Sequence, residues 1–311
     1  MSLLKIPSAT SNISDIADFL EAKCILSDDK SYSINSARST ISIESDELNV
    51  DGIDDDDSKL LNRLEEALTE IVQRGNRCNN KYPFSIEHNR IVVKVDIPLL
   101  YYDIYIYLLF ATIWNMGRKR IMGEIDGTLL FEELSEIIAK SYFGDNTESL
   151  IFGTGAQERD TFRHKIESLL RALNEGGKFK EPEGSTGRQN DGKLDVVVWK
   201  PFSDNRGSKL IGMGQCKTGS SWEHMVTQLQ PSVFFGSYCS MTPYVDPVRM
   251  FFVTASCKEK WEELSRSGGI FFDRCRIMDY LPASLDNNLS NRIQHWTSEI
   301  IHAYNNDSNR N

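Results

Sequence analysis

The residues best spaced for chemistry lie in Lys193–Trp222, KLDVVVWKPFSDNRGSKLIGMGQCKTGSSW, where Asp195, Gln215 and Lys217 stand near the ends of two extended runs. Leu194–Lys200 is rich in β-formers, Lys209–Lys217 is a second extended run, and Pro201–Ser208 between them carries the Pro, Ser, Asp, Asn and Gly of a turn. The pattern predicts a β-hairpin with a longish loop. Side chains alternate along a strand, so Gln215 and Lys217 share one face while Cys216 points to the other. A turn centred near Asp204 and Asn205 sets Asp195 opposite roughly residue 214. A carboxylate, an amide oxygen and an ammonium then converge: two hard oxygen ligands of the kind magnesium prefers, and a cation able to neutralise an anionic oxygen. Short acidic-x-Lys patterns also arise by chance, with both charges in water. Here Asp195 has apolar neighbours and Lys217 ends an apolar strand, where an unpaired charge is costly.

An Asp, a hairpin and then Gln-x-Lys resembles the PD-(D/E)xK nuclease superfamily, the restriction-endonuclease-like fold. Asp191-Gly192-Lys193-Leu194-Asp195 followed by Gly214-Gln215-Cys216-Lys217 is similar to the DGxxD…QxK run of relatives of the methyl-directed restriction enzymes, with Gln215 where most members have Asp or Glu. The resemblance covers the second half of the chain. It implies a Mg²⁺-dependent deoxyribonuclease, with Mn²⁺ able to substitute, acting on double-stranded DNA as a bacterial restriction or anti-phage effector. It also implies metal ligands: Asp195, the amide oxygen of Gln215, the backbone carbonyl of Cys216 and a glutamate on the first core helix. Glu132, in Leu130-Phe131-Glu132-Glu133-Leu134, matches that last position, and Glu136 and Glu167 compete with it. Lys217 is expected to orient the attacking water or neutralise the pentavalent phosphate. Cutting both strands calls for two sites, so a homodimer is expected by symmetry. The alternative is a catalytically silent member of the fold that binds nucleic acid or a partner ATPase.

Two rival chemistries are weaker. Gly212-Met-Gly-Gln-Cys-Lys217-Thr218 imitates a phosphate-binding loop, but Cys216 stands where that loop needs Gly, and Gly212 is one residue too near. As a nucleophile, Cys216 is turned away from Lys217 by strand alternation, so a packed thiol is expected.

Six cysteines without a CxxC pair and five histidines without metal spacing argue against structural zinc, and reduced thiols with no signal peptide fit a cytoplasmic protein. Leu99–Trp114 is the longest apolar run, but it is interrupted by Asp103 and shorter than a membrane span, so it predicts a core helix. The formal charge of −10 discourages a nucleic-acid partner, yet eight acids between Glu44 and Asp57 carry most of it, and without them the chain stands at −2. That run predicts a solvated linker.

The elements that must position the hairpin residues give a mixed α/β sheet flanked by helices over 125–311, after a mainly helical α+β region over 1–124. Expected are a helix capped by Ser14 and running to Cys24, a helix over Leu60–Arg74, a strand over Arg90–Val95, a helix opened by Leu130–Leu134 within Gly127–Phe143, and a helix over Gln157–Leu173. After the hairpin come a helix from Ser220 or Ser221 to Pro231, a strand over Val248–Thr254, a helix from Trp261, a strand over Phe271–Met278 and a closing helix over Leu289–Tyr304. Arg118-Lys119-Arg120 is expected as a wet helix end, with phosphate contact as its alternative.

Overall fold

The computed structural model describes residues 6–8, 10–46, 53–114, 116–152, 162–181 and 192–308. Asp191, the first residue of the DGxxD run, and residues 157–161 of the helix expected over Gln157–Leu173 lie outside them.

The N-terminal region contains α1 (Ile13–Leu26), β1 (Ser31–Ser33), α2 (Ile34–Asp46), α3 (Ile53–Arg77), β2 (Phe84–Glu87), β3 (Arg90–Val93) and α4 (Leu99–Ile113). β1, β3 and β2 form an antiparallel sheet in that order. Three expectations need correction. Asn12 rather than Ser14 stands at the cap of α1, and its side chain makes no capping bond. The single strand expected after Pro83 is a hairpin, β2 with β3. The acidic stretch is largely helical: α2 includes Glu44 and Asp46, and α3 begins at Ile53.

β4 (Ile121–Met122) and β5 (Ile125–Asp126) form a two-stranded ribbon leading into α5 (Gly127–Phe143), whose N-cap Asp126 accepts from the Thr128 amide. The basic triplet precedes this ribbon in a turn rather than at a helix end: Lys119 lies over the Trp114 ring and Arg120 pairs with Asp126 at 3.0 Å.

The remaining elements are β6 (Glu148–Ile151), α6 (Phe162–Leu173), β7 (Val196–Trp199), β8 (Ile211–Lys217), α7 (Pro231–Tyr238), β9 (Val248–Val253), α8 (Trp261–Gly268), β10 (Ile270–Phe272), α9 (Arg274–Asp279) and α10 (Asn287–Ser308). Five strands make one mixed sheet in the order β10-β9-β8-β7-β6, antiparallel from β6 to β8 and parallel from β8 to β10. The helix expected to end at Pro231 is replaced by a 3₁₀ turn at Glu223–Met225, and Pro231 begins α7, where its fixed φ and missing N–H are tolerated. The strand expected to run to Met278 stops at Phe272, because Asp273 caps α9 through the Arg276 amide.

Alternation sorts the sheet's side chains between two layers. Val196, Val198, Cys216, Met250 and Phe252 join the core under α4, α5 and α10, while Val197, Trp199, Ile211 and Met213 pack with α6 and α7. The first core runs from Ile13 to Ile300, so it crosses the boundary expected near residue 124 without a break.

A buried ionic cluster ties the two regions. Arg274 meets both oxygens of Asp18 at 2.9 Å, and Arg74 bonds Asp18 and Glu21 at 2.7 Å each and Glu70 at 3.2 Å. The Tyr82 and Tyr105 hydroxyls donate to Glu21, and Arg274 also donates to the Thr112 hydroxyl and the Thr254 carbonyl. All of these side chains are buried. Charges so desolvated survive only when each is paired and hydrogen-bonded.

Candidate functional site

β7 and β8 pair as Val196↔Gly214 through Trp199↔Ile211. Continued by one step, that register sets Asp195 against Gln215 rather than residue 214, because the turn is centred on Asn205 rather than between Asp204 and Asn205. A one-residue slip exchanges the faces of a strand. The observed register is the one that lets Asp195 share a side with Gln215.

Asp195 lies where β7 parts from β8. Its amide donates to the Gly214 carbonyl at 2.9 Å, its Oδ2 accepts from the Cys216 amide at 2.7 Å, and its carbonyl accepts from Phe152 next to β6 at 2.7 Å. The carboxylate thus takes the place of a ladder acceptor, so the residue is fixed by its own backbone as well as by its side chain. It is 6% exposed.

Gln215 pairs with Phe251 and Lys217 with Val253 across the parallel ladder, and both partners belong to the cluster with Trp222 and Val226. Neighbours in register share a face, so Gln215 and Lys217 lie on that side, as alternation predicts. Gln215 is fully buried. Its Nε2 donates to Gln228 Oε1 at 3.2 Å, which turns Oε1 the other way, and Oε1 accepts from no donor among the described residues. Sequence reasoning missed Gln228: it was expected inside a helix that does not form, and no pattern marks a loop glutamine as a partner for a strand.

Cys216 projects into the opposite layer, with Phe252. Burial pushes its thiol well above the ordinary range and the Asp195 carboxylate pushes it further, with Glu132 adding to the effect, while a hydrogen bond with Ser135 and the charge of Lys217 act against it. The thiol stays protonated, as the packed reading expects. Gly212 and Gly214 lie within β8 and form no phosphate loop. A Cβ on Gly212 would meet Phe143 at 2.7 Å and Met250 at 2.9 Å, so its bare backbone allows α5 to sit close on the sheet.

The three candidate glutamates separate. Glu132 is 8% exposed on α5, on the side of the Cys216 thiol. Glu136 accepts from the Ser149 hydroxyl at 2.5 Å, over β6. Glu167 is on the outer face of α6, paired with Arg163 at 2.8 Å. The expected set therefore reaches the end of β8 from two directions: Gln215 and Lys217 from one layer, Glu132 from the other, with Asp195 in the opening between β7 and β8.

No group of three or more His, Cys, Asp or Glu side chains placed to hold a metal occurs among the described residues. The candidate set contributes two carboxylates, the other oxygens being an amide and a backbone carbonyl. The buried Gln215 amide oxygen, without a donor among the described residues, fits a hard cation, since leaving such an acceptor unsatisfied costs about 1–3 kcal/mol. No described helix is long and apolar enough to cross a membrane. Comparison with protein-family models, with curated proteins and with solved structures finds no match in any of the three.

Proposed function

We propose that the chain is a divalent-cation-dependent nuclease that hydrolyses DNA phosphodiester bonds, in the manner of the restriction-endonuclease-like proteins its Asp195…Gln215-Cys216-Lys217 run resembles. The observation that carries the reading is the buried Gln215 Oε1, without a donor, set by the register opposite Asp195 in the fork of the sheet. The mixed sheet with helices on both faces is the kind of architecture the resemblance implies.

Asp195, Gln215 Oε1 and the carbonyl of Cys216 would hold the cation, and Glu132 would complete the set from the α5 side. Bound there, magnesium supplies positive charge against the phosphoryl oxygens and acidifies a water. Asp195 is held rigid by Gly214, Cys216 and Phe152, so its geometry does not depend on the ligand. Lys217, half-buried on the Gln215 face, would present its ammonium to the negative charge developing on the phosphoryl oxygens. Gln215 in place of a carboxylate leaves one negative charge fewer among the residues that would hold the cation, so their affinity for it without DNA would be low.

The test is nicking of supercoiled plasmid with Mg²⁺ or Mn²⁺, alongside a structured RNA. DNA is cut by the wild type and left intact by Lys217→Ala, and Glu132→Gln reports whether α5 takes part. Equal, intact DNA with both proteins across metals sinks the reading in favour of a silent scaffold, and cleavage of RNA alone reassigns the substrate.

A further inference from the structure

At the other end of the β7–β8 hairpin, roughly 20 Å along β8 from the fork, lies an open cavity of about 700 Å³ lined by Phe202, Arg206, Gly207, Ser208, Tyr244 and Asn174, with Asp204 on its rim. From these residues the geometry points to a site for a nucleobase, stacked on the rings of Phe202 and Tyr244.

The two rings are the first argument. Phe202 is 56% and Tyr244 71% exposed, and neither belongs to a ring pair among the described residues. Singly exposed rings are ordinary, but these two line the same cavity and so form one apolar patch beside polar groups. The second argument is that the wall is built. The buried Glu175 carboxylate accepts from the Lys209 amide at 3.1 Å and from the Tyr244 amide at 3.0 Å, so one side chain fixes the hairpin loop and the 244 segment together. Asn174 Nδ2 donates to the Asn205 carbonyl at 2.8 Å. Tyr244 packs against Gly207, whose added Cβ would lie 2.6 Å from ring Cε2, while most of the side chain stays exposed. A cavity held by hydrogen bonds from three segments is preorganised, and that lowers the ordering cost of binding.

Charge then selects the ligand. Arg206 lines the cavity with its guanidinium paired to Asp204 at 2.7 Å, and Lys209 Nζ is buried on the Leu173 carbonyl, so charge at the cavity is balanced and a flat uncharged ring is favoured over a free phosphate. What remains at the edge is the Asn174 amide oxygen, the Ser208 hydroxyl and the Asp204 carboxylate: in-plane acceptors and a donor, suited to the edge of a neutral, flat heterocycle. The site stands on its own geometry and does not require the fork to be catalytic.

The test uses the full-length protein and the nucleoside of 2-aminopurine, whose fluorescence is quenched by stacking. The wild type quenches it saturably and deoxyadenosine competes. Phe202→Ala, Tyr244→Ala and Gly207→Ala, whose new methyl lifts the Tyr244 ring, each weaken binding roughly 5- to 100-fold, the range of one base–aromatic stack, with thermal unfolding confirming that each variant is folded. Tyr244→Phe and Lys217→Ala bind like the wild type, so loss of nicking in Lys217→Ala with quenching intact separates the two sites. Unchanged emission up to millimolar probe, equal binding by the ring variants, or tighter competition by tryptophan amide than by deoxyadenosine overturns the assignment.

Discussion

Asp195, Gln215 and Lys217 each depend on something different. Asp195 is held by an amide that any acceptor of the same shape can satisfy, so Asp195→Asn keeps its bond to Cys216 and the fold while losing the charge. We expect its cleavage rate, and that of Lys217→Ala, to fall by at least about 100-fold, the usual size of losing one electrostatic contact in a transition state, with little change in melting temperature. Gln215 depends on Gln228. Gln228→Glu still accepts from Nε2, whereas Gln228→Leu frees the amide to turn, so the Mg²⁺ concentration for half-maximal nicking rises only in the leucine variant. The identities of the hairpin residues were legible in the sequence because strand alternation is a local rule. Their partners were not: Gln228 and Ser135 come from elements that no spacing in the chain connects to β8.

Among the elements, β8 is the fixed point. Its pairing with β9 was not derivable from a two-strand pattern, and the hairpin turn alone left the register open by one residue, which decides the face of Asp195. The α5–sheet contact depends on Gly212. Gly212→Val drives methyl groups into Phe143, Met250 and Val198, and chemical denaturation should show a loss of about 1–3 kcal/mol from overpacking. The weak links in the sequence reading were ends rather than cores. Arg90–Val95 gave a strand but not its partner β2, and Phe271–Met278 ran apolar residues of β10 into those of α9 because the stop, Asp273, acts through a capping bond rather than through composition.

For the molecule as a whole, the ionic cluster is what the sequence concealed least yet revealed late. Asp18 and Glu21 sit among the apolar residues of α1, a visible anomaly, but their partners Arg74 and Arg274 lie 56 and 256 positions from Asp18. Burial by itself raises the Asp18 carboxyl, and Arg274 and Arg74 together outweigh it, leaving the group below its ordinary 3.8. A lowered carboxyl contributes stability in full above about pH 4 that drains away as pH falls below 3.8. Denaturation followed against pH should therefore steepen below that value, and less so in Asp18→Asn. Removing one partner leaves the other charge buried, so Arg274→Met should cost about 3–5 kcal/mol. A fragment of residues 125–311 should show no cooperative melt by circular dichroism, since it keeps Arg274 without Asp18 and half of a shared core. The same clamp sets an order of birth. On the ribosome, α1 is made with its acids waiting, and the guanidinium that completes them follows 256 residues later. The proposed cutting site at the hairpin is thus translated before the clamp can lock shut, and the shared core cannot close until α9 has left the exit tunnel.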